Sequence, residues 1–333
     1  CIHQDKEGFI WIATKDGLNR YNGYTIFTFR NNPNDKYSLP DNYCNSMTED
    51  DKGNLWVGTN TKGLFLFDKT TERFYNVSVI NTNPNNLCIR ELQYDKGKLF
   101  VRTFNDVLIL DISEQALNND DIDVLNIKVT FSFEKTPTGK KQKSAYSNID
   151  NLVWSWMPDN TLWASTQDSI YKFEPSDDLA KWHIESFSPI LFGIKENTHG
   201  YVYFFPISVA TDSMIIAYNS TIAHFNNKTG KFFYIESLSE IRENNFDKYF
   251  KLNDGSIYTL TDSRANIYNP AKRETEIVLT NFPSKSYCNI FTLFTDANGI
   301  QWFGCNGCGI IKRDTRKKRF KSFKDIHPKE VFS

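Results

Sequence analysis

A chain of 333 residues could hold two ordinary domains, and its 40% hydrophobic content, with 27 Phe, 16 Tyr and 7 Trp, supplies a large aromatic core. Lys and Arg (39) nearly balance Asp and Glu (40) for a formal charge of -1, so no global field would attract nucleic acid or an anionic membrane. No apolar run approaches the roughly 18 residues of a membrane span, and no basic-then-apolar leader opens the sequence.

The first recognisable unit runs Asp5 to Gly8, then Phe9-Ile10-Trp11-Ile12-Ala13-Thr14, then Gly17-Leu18-Asn19-Arg20-Tyr21. Two short apolar runs, each preceded by a Gly-containing polar turn, predict strand, hairpin, strand. Cys1 aligns with Ser46 of the next unit, mid-strand, so the start reads as that of an excised segment, with any leader or anchor outside it.

The second unit is the clearest. Asp50 to Gly53, Asn54-Leu55-Trp56-Val57-Gly58-Thr59, then Gly63-Leu64-Phe65-Leu66-Phe67-Asp68 repeat the pattern. Gly53 and Gly63 fall where a tight turn needs positive φ, which glycine reaches without steric cost. Four strands are predicted here, approximately Cys44 to Thr48, Leu55 to Thr59, Leu64 to Asp68 and Phe74 to Val77.

Weaker copies follow around Phe100, Trp163, Tyr203 and Tyr258, and a strong one closes the series at Asp296-Ala297-Asn298-Gly299-Ile300-Gln301-Trp302-Phe303-Gly304. Aligned on Trp11, Trp56, Phe100, Trp163, Tyr203, Tyr258 and Trp302, the copies recur at roughly 40 to 45 residues, the period of a four-stranded propeller blade. The third-to-fourth and fifth-to-sixth intervals are longer and carry insertions. The expectation is an all-β fold: one seven-bladed β-propeller of four-stranded antiparallel blades over 1–325, with 326–333 closing the ring or starting a next propeller.

Trp11, Trp56, Trp163 and Trp302 are then packing residues rather than ligand contacts. Loops carry function more often than scaffold strands. In this register the second-to-third-strand turns and the blade-to-blade connections emerge on one face. Those connections are approximately Arg30 to Asn42, Ser78 to Leu87, Ser113 to Asn148, Pro175 to Ser188, Glu236 to Asn245 and Asn281 to Ser286. The third includes a candidate outer strand around Asp123 to Phe133, before a basic run, Lys135 to Lys143, that reads as a solvated loop tip or an anionic contact.

Six cysteines (1, 44, 88, 288, 305, 308) do not make a disulfide scaffold at this length. Cys305-Asn306-Gly307-Cys308 is a single CxxC in a hairpin, two ligands short of a zinc site. No Walker loop, HExxH, GxSxG or EF-hand loop is present. His3, His183, His199, His224 and His327 lack ligand spacing, and the Asp residues repeat at turns, where they cap backbone donors. No cofactor, metal or catalytic residue is expected. His3, Trp154 and Trp156 could approach a central channel, where packing between inner strands is the plainer role.

The segment Gln4 to Tyr24, with Ser38-Leu39-Pro40 and Asn54-Leu55-Trp56-Val57-Gly58-Thr59, closely resembles the two-component regulator propeller repeat. The resemblance spans the chain, strongly in repeats 1, 2 and 7. It implies the periplasmic sensor part of an inner-membrane hybrid two-component histidine kinase that regulates glycan-utilisation genes, with the kinase modules absent here. It further implies an oligosaccharide ligand, a second propeller and a β-sandwich in the same receptor, homodimerisation, and no nucleic-acid contact by this segment. Exposed sugar-binding candidates on the loop face are Tyr37, Asn60, Arg102, Gln167, Trp182, His183 and Arg264, since sugar recognition combines aromatic faces with amides and charges. The rival readings are a propeller lyase or glycosidase, marked by clustered carboxylates or a His–carboxylate pair, and a dimerisation scaffold, marked by a flat apolar patch.

Overall fold

The computed structural model describes residues 1–80, 87–95, 97–103, 107–112, 124–132, 153–156, 161–165, 170–174, 183–187, 205–210, 213–218, 221–226, 229, 231–237, 248–251, 255–260, 265–279, 289–306 and 309–314. Among these every regular element is a strand. Repeat 1 holds β1 (Ile2–Gln4), β2 (Ile10–Thr14), β3 (Gly17–Tyr21) and β4 (Ile26–Phe29). Repeat 2 holds β5 (Cys44–Glu49), β6 (Leu55–Thr59), β7 (Leu64–Asp68) and β8 (Arg73–Ile80). Repeat 3 holds β9 (Ile89–Asp95), β10 (Lys98–Thr103), β11 (Val107–Asp111) and β12 (Val124–Ser132).

The fourth set is β13 (Val153–Trp156), β14 (Leu162–Ser165), β15 (Ile170–Glu174) and β16 (His183–Phe187); the fifth is β17 (Phe205–Ala210), β18 (Ser213–Tyr218), β19 (Thr221–Asn226) and β20 (Lys231–Ser237). The sixth is β21 (Lys248–Lys251), β22 (Ile257–Leu260), β23 (Ala265–Asn269) and β24 (Glu274–Leu279); the last, three-stranded as described, is β25 (Asn289–Thr295), β26 (Ile300–Asn306) and β27 (Gly309–Asp314).

Within each set consecutive strands pair antiparallel. Sets two and three fuse into one eight-stranded sheet, because the first half of β12 pairs parallel with β8, Val124 to Lys128 against Asn76 to Ile80. Its second half pairs with β11. The outer strand expected near Asp123 to Phe133 is thus present, but it clasps two repeats, which the sequence pattern did not predict. Buried Ile127 anchors it among Val77, Leu108, Leu110 and Ile112.

The core lies between successive sheets. Trp11, Leu18 and Phe29 pack on Leu55, Phe67 and Phe74, while Trp56, Leu64 and Leu66 on the other face of repeat 2 pack on Leu99, Val101 and Leu108. Both faces of a strand are covered, which is why β6 and β7 read as unbroken apolar runs. Each buried Trp removes roughly 200 Å² from water, an upper bound of about 5 kcal/mol. The same packing joins the ends of the chain: Ile2, Ile10 and Ile12 cluster with Ile300 and Trp302, and Tyr21 meets Trp302 edge-on.

Two residues past each of three tryptophans stands a small residue, Ala13, Gly58 or Gly304. A Cβ on Gly58 would lie 2.5 Å from Ile89 Cγ2, and one on Gly304 2.6 Å from Thr292 Cγ2. The innermost strand of the next repeat crosses at Gly58, so close approach excludes a side chain there.

Tyr203 lies outside the described residues; the second strand of the fifth set is β18, with Met214 and Ile215 buried. The stretch Pro175 to Ser188, expected as a connection between repeats, contains β16, the outermost strand of the fourth set.

Candidate functional site

The end of the molecule carrying the first-to-second-strand turns is built by one recurring device. Asp5, Asp50 and Asp296 are buried, and each accepts the indole N–H of the Trp six residues on, Trp11 at 2.7 Å, Trp56 and Trp302 at 2.9 Å. The second carboxylate oxygen accepts backbone N–H groups of the turn: Glu7 and Phe9, Asn54, and Asn298 and Ile300. Gly8, Gly53 and Gly299 each donate to the same Asp carbonyl at φ of 94°, 84° and 77°. Each carboxylate ties turn and core together. Trp163 substitutes the Thr161 hydroxyl at 3.1 Å.

In the first three repeats the residue preceding the first-to-second-strand turn, Gln4, Glu49 or Tyr94, reaches back to the previous repeat. Glu49 accepts the Lys6 N–H at 3.0 Å, Tyr94 donates its hydroxyl to Asp51 at 2.8 Å, and Gln4 accepts the Ala297 N–H at 2.7 Å. The last of these links the first repeat to the last.

Between repeats 1 and 2 this end holds a charged cluster. Lys69 Nζ lies 2.8 Å from Glu49, 3.3 Å from Asp5 and 3.5 Å from Glu7. Burial works against its ammonium, but the Glu49 hydrogen bond and the three carboxylates raise its pKa overall. His3 Nε2 stands 3.8 Å from Glu49 Oε2 without a hydrogen bond. Burial lowers the His3 pKa against the pull of Glu49 and Asp5, favouring neutral imidazole. Both Glu49 oxygens are already engaged, by Lys69 and the Lys6 N–H. Among the described residues no group of three His, Cys, Asp or Glu side chains could hold a metal ion.

The opposite, loop-bearing end is organised by residues 30–43. Asn31 donates its side chain to Leu39 O and its N–H to Asn42, and fully buried Leu39 plugs the core beneath. Asp41 Oδ2 accepts both the N–H and the hydroxyl of Thr61, and the Asn60 N–H donates to Tyr43 O. The Asn60 side chain meets Asn45 Nδ2 at 3.4 Å and Cys88 Sγ at 3.5 Å, while Asn45 also donates to Ile89 O. Lys15 sits 5.4 Å above the Tyr43 ring, and Arg30 pairs with Asp16, lowering that carboxyl's pKa by hydrogen bond and charge. An aromatic ring, two amides, a carboxylate and a lysine thus share one loop surface across repeats 1 to 3.

Of the sequence candidates, Asn60 is at the centre of this surface. Arg102, near the loop end of β10, is engaged by Glu91 at 3.1 Å. Tyr37 stands apart at the rim, with Arg73 at 4.6 Å and Lys36 at 4.7 Å from its ring and Tyr75 beside it; a stacking ligand would have to displace one of them. His183 opens the outermost strand β16 at the turn end, opposite Glu174 and 3.6 Å from Glu185, so it is not on the loop end with Asn60. Gln167, Trp182 and Arg264 lie outside the described residues. Lys15, Asp41, Tyr43 and Asn45 were missed; their signal was adjacency to the second-to-third-strand turns, which a search for exposed loop residues passes over. Cys305, at the end of β26, carries a free thiol, and Cys308 lies outside the described residues. Burial pushes the Cys44 thiol up to about 12.

This arrangement of sheets is that of a β-propeller: the WD40 β-propeller domain of Doa1 superposes on 97% of the chain and 96% of its own length (TM-score 0.62, 13% identity). Residues 38–61 match the two-component regulator propeller family. The extracellular domains of the putative one-component system BT4673 (TM-score 0.65, 15% identity) and the putative hybrid two-component system BT3049 (0.64, 18%), both from B. thetaiotaomicron, superpose on 94% and 93% of the chain. The chain spans only 37% and 39% of their lengths. It is also 50% identical over 38 residues, 11% of its length and 3% of the relative's, to histidine kinase P4 of Formosa agariphila.

Proposed function

We propose that the chain is a seven-bladed propeller of four-stranded blades, serving as an extracytoplasmic, periplasmic ligand-sensing segment of a membrane-anchored hybrid two-component sensor. The observation that carries this reading is the regulator-propeller repeat at 38–61, in a chain that superposes almost throughout on extracellular domains of such systems. The ligand is an oligosaccharide, bound on the loop surface around Tyr43, Asn45, Asn60, Lys15 and Asp41. That set supplies the aromatic face, planar amides and paired charges that orient sugar hydroxyls. Binding there alters the receptor's dimer geometry, controls a distant kinase and regulates glycan-utilisation genes; this segment is not catalytic.

The test is calorimetric titration with plant, host and microbial oligosaccharides, followed by product analysis, on wild type and Asn60→Ala. Binding of one glycan class without turnover, lost in the variant, supports the reading; silence across the panel refutes it. One observation favours a second reading, a propeller enzyme: the His3–Glu49 pair. Glu49 is held by Lys69 and Lys6, so that pair serves the scaffold unless cleavage products appear and disappear with His3→Gln.

A further inference from the structure

Three of the large apolar side chains that the fold leaves in solvent stand together on the first repeat: Tyr24, Ile26 and Phe27, at 94%, 62% and 51% exposure. Ile26 and Phe27 belong to β4, the outermost strand, and Tyr24 to the turn before it. An outermost strand presents unpaired backbone groups to any strand that approaches, and proteins guard such edges with charges or by covering them. The other described fourth strands follow this rule. β8 starts at Arg73 and is covered by β12; β16 carries Glu185, β20 carries Lys231 and Glu236, and β24 carries Glu274 and Glu276. β4, Ile26-Phe27-Thr28-Phe29, carries no charge of its own and among the described residues pairs only with β3, although the Arg20 guanidinium on β3 lies 5.6 Å over the Phe27 ring.

The register of the hairpin fixes which backbone groups are free. The Asn22 N–H donates to Thr25 O at 3.3 Å, and β3 pairs Arg20 with Phe27 and Leu18 with Phe29. Antiparallel ladders alternate, so Thr25, Phe27 and Phe29 spend their N–H and C=O groups on β3, and those of Ile26 and Thr28 point outward. We propose that β4 pairs antiparallel with β4 of a second copy of this chain across a two-fold axis at Phe27. Ile26 of each copy then exchanges both hydrogen bonds with Thr28 of the other, four in all. The two Phe27 rings face each other as a close, non-hydrogen-bonded pair, the arrangement in which cross-strand aromatics gain most.

Charge complementarity selects a second copy as the occupant. An uncharged strand meets its own image without like-charge opposition. Three residues out from the axis, Tyr24 of one copy faces Arg30 of the other, a cation against an aromatic ring; both are exposed, and among the described residues Arg30 pairs with the surface carboxylate of Asp16. Such an interface is isologous and closes at two. The proposal does not depend on the sugar-sensing reading: of the loop-end residues it uses only Arg30, which is not among those proposed to hold the sugar.

Analytical ultracentrifugation of the 333-residue chain from low to high micromolar concentration tests it, together with amide hydrogen exchange at both extremes. The expected result is a monomer–dimer equilibrium, with protection of the Ile26 and Thr28 amides rising with concentration while that of Phe27 stays constant. Phe27→Lys places two ammonium groups on the axis and is expected to weaken association about 30-fold or more. Thr28→Pro removes the outward N–H, together with the hydroxyl that donates to Asn19 Oδ1 at 2.7 Å, and should abolish the dimer. Circular dichroism verifies folding; should the proline variant fail to fold, Phe27→Lys, at a half-exposed site, decides alone. A monomer at every concentration overturns the proposal, including the case where another part of a longer receptor covers this edge. So does a dimer indifferent to Phe27→Lys or protected elsewhere.

Discussion

Replacing Asp50 by Ala tests whether the buried turn carboxylate joins turn to core. The carboxylate accepts the Trp56 indole at 2.9 Å, the Asn54 N–H at 2.9 Å and the Asn54 side chain at 3.0 Å. The first is buried, so truncation strands an indole N–H inside the core and loosens the turn. Hydrogen bonds to charged groups contribute about 1.5 to 3 kcal/mol each; counting the indole and backbone bonds gives a loss of roughly 3 to 6 kcal/mol. With an unfolding entropy near 2.1 cal/mol/K per residue, that lowers the melting temperature by about 4 to 9 °C if the chain melts as one unit. Asp50→Asn, which keeps one acceptor oxygen, should lose about half as much. The discriminating assay is a double-mutant cycle of Asp50→Asn with Trp56→Phe by urea denaturation, with an expected coupling of about 1 to 2 kcal/mol. Strict additivity, or an Asp50→Ala variant within about 0.5 kcal/mol of wild type, would refute the reasoning.

Gly58→Ala should cost about 1 to 3 kcal/mol through overpacking against Ile89, whereas the same change at Gly304, where the nearest atom is a single threonine methyl, should cost less; thermal melts rank the two. Lys69→Met leaves the Asp5 and Glu49 carboxylates buried without their cation and should destabilise by about 3 to 5 kcal/mol in urea titrations. His3 has a folded-state pKa below its ordinary value of 6.5, so the unfolded chain takes up the proton more readily. Stability from this site is present above pH 6.5 and is lost as pH falls from there towards the lowered folded value. His3→Gln should therefore flatten the fall in unfolding free energy between neutral and mildly acidic pH, and an unchanged slope would count against the assignment.

The fold was readable wherever a repeat kept its Asp, Gly and Trp, because those residues meet a local requirement: the Asp satisfies the turn and indole donors, and the Gly supplies positive φ. In the second repeat the expected strands match β5 to β8 to within a few residues. The fifth set keeps none of the three in β18, Ser-Met-Ile-Ile-Ala-Tyr, and there apolar runs alone do not reveal strand order. The clasp of β12 on β8 was illegible for a different reason. Parallel pairing between distant strands leaves no local pattern, and the outcome rests on long-range burial of Ile127. Of the candidate site, Asn60 was found because the alignment placed it at a second-to-third-strand turn. Asn45 was hidden by its inner-strand position and Tyr43 by its place just before that strand, and the occupied faces of Tyr37 depend on Arg73, distant in sequence but adjacent across the rim.

The two ends of the molecule divide the work by how their polar groups are used. At the turn end, Glu49, Tyr94 and Gln4 are committed to the neighbouring repeat, and Lys69 joins the carboxylates of repeats 1 and 2. A ligand binding there would have to break contacts that join the first repeat to the second and the last to the first. At the loop end the described bonds run mainly within the 30–43 connection and to the adjacent turn at Thr61, and among the described residues Lys15 lies over a ring and Arg30 pairs with a surface carboxylate. Exposed ion pairs of that kind are screened by solvent and add little to stability, so losing them would not loosen the contacts between repeats. This difference is what places the proposed recognition surface on the loop end, whereas the proposed self-pairing edge, β4, lies on the outer strand of the first repeat.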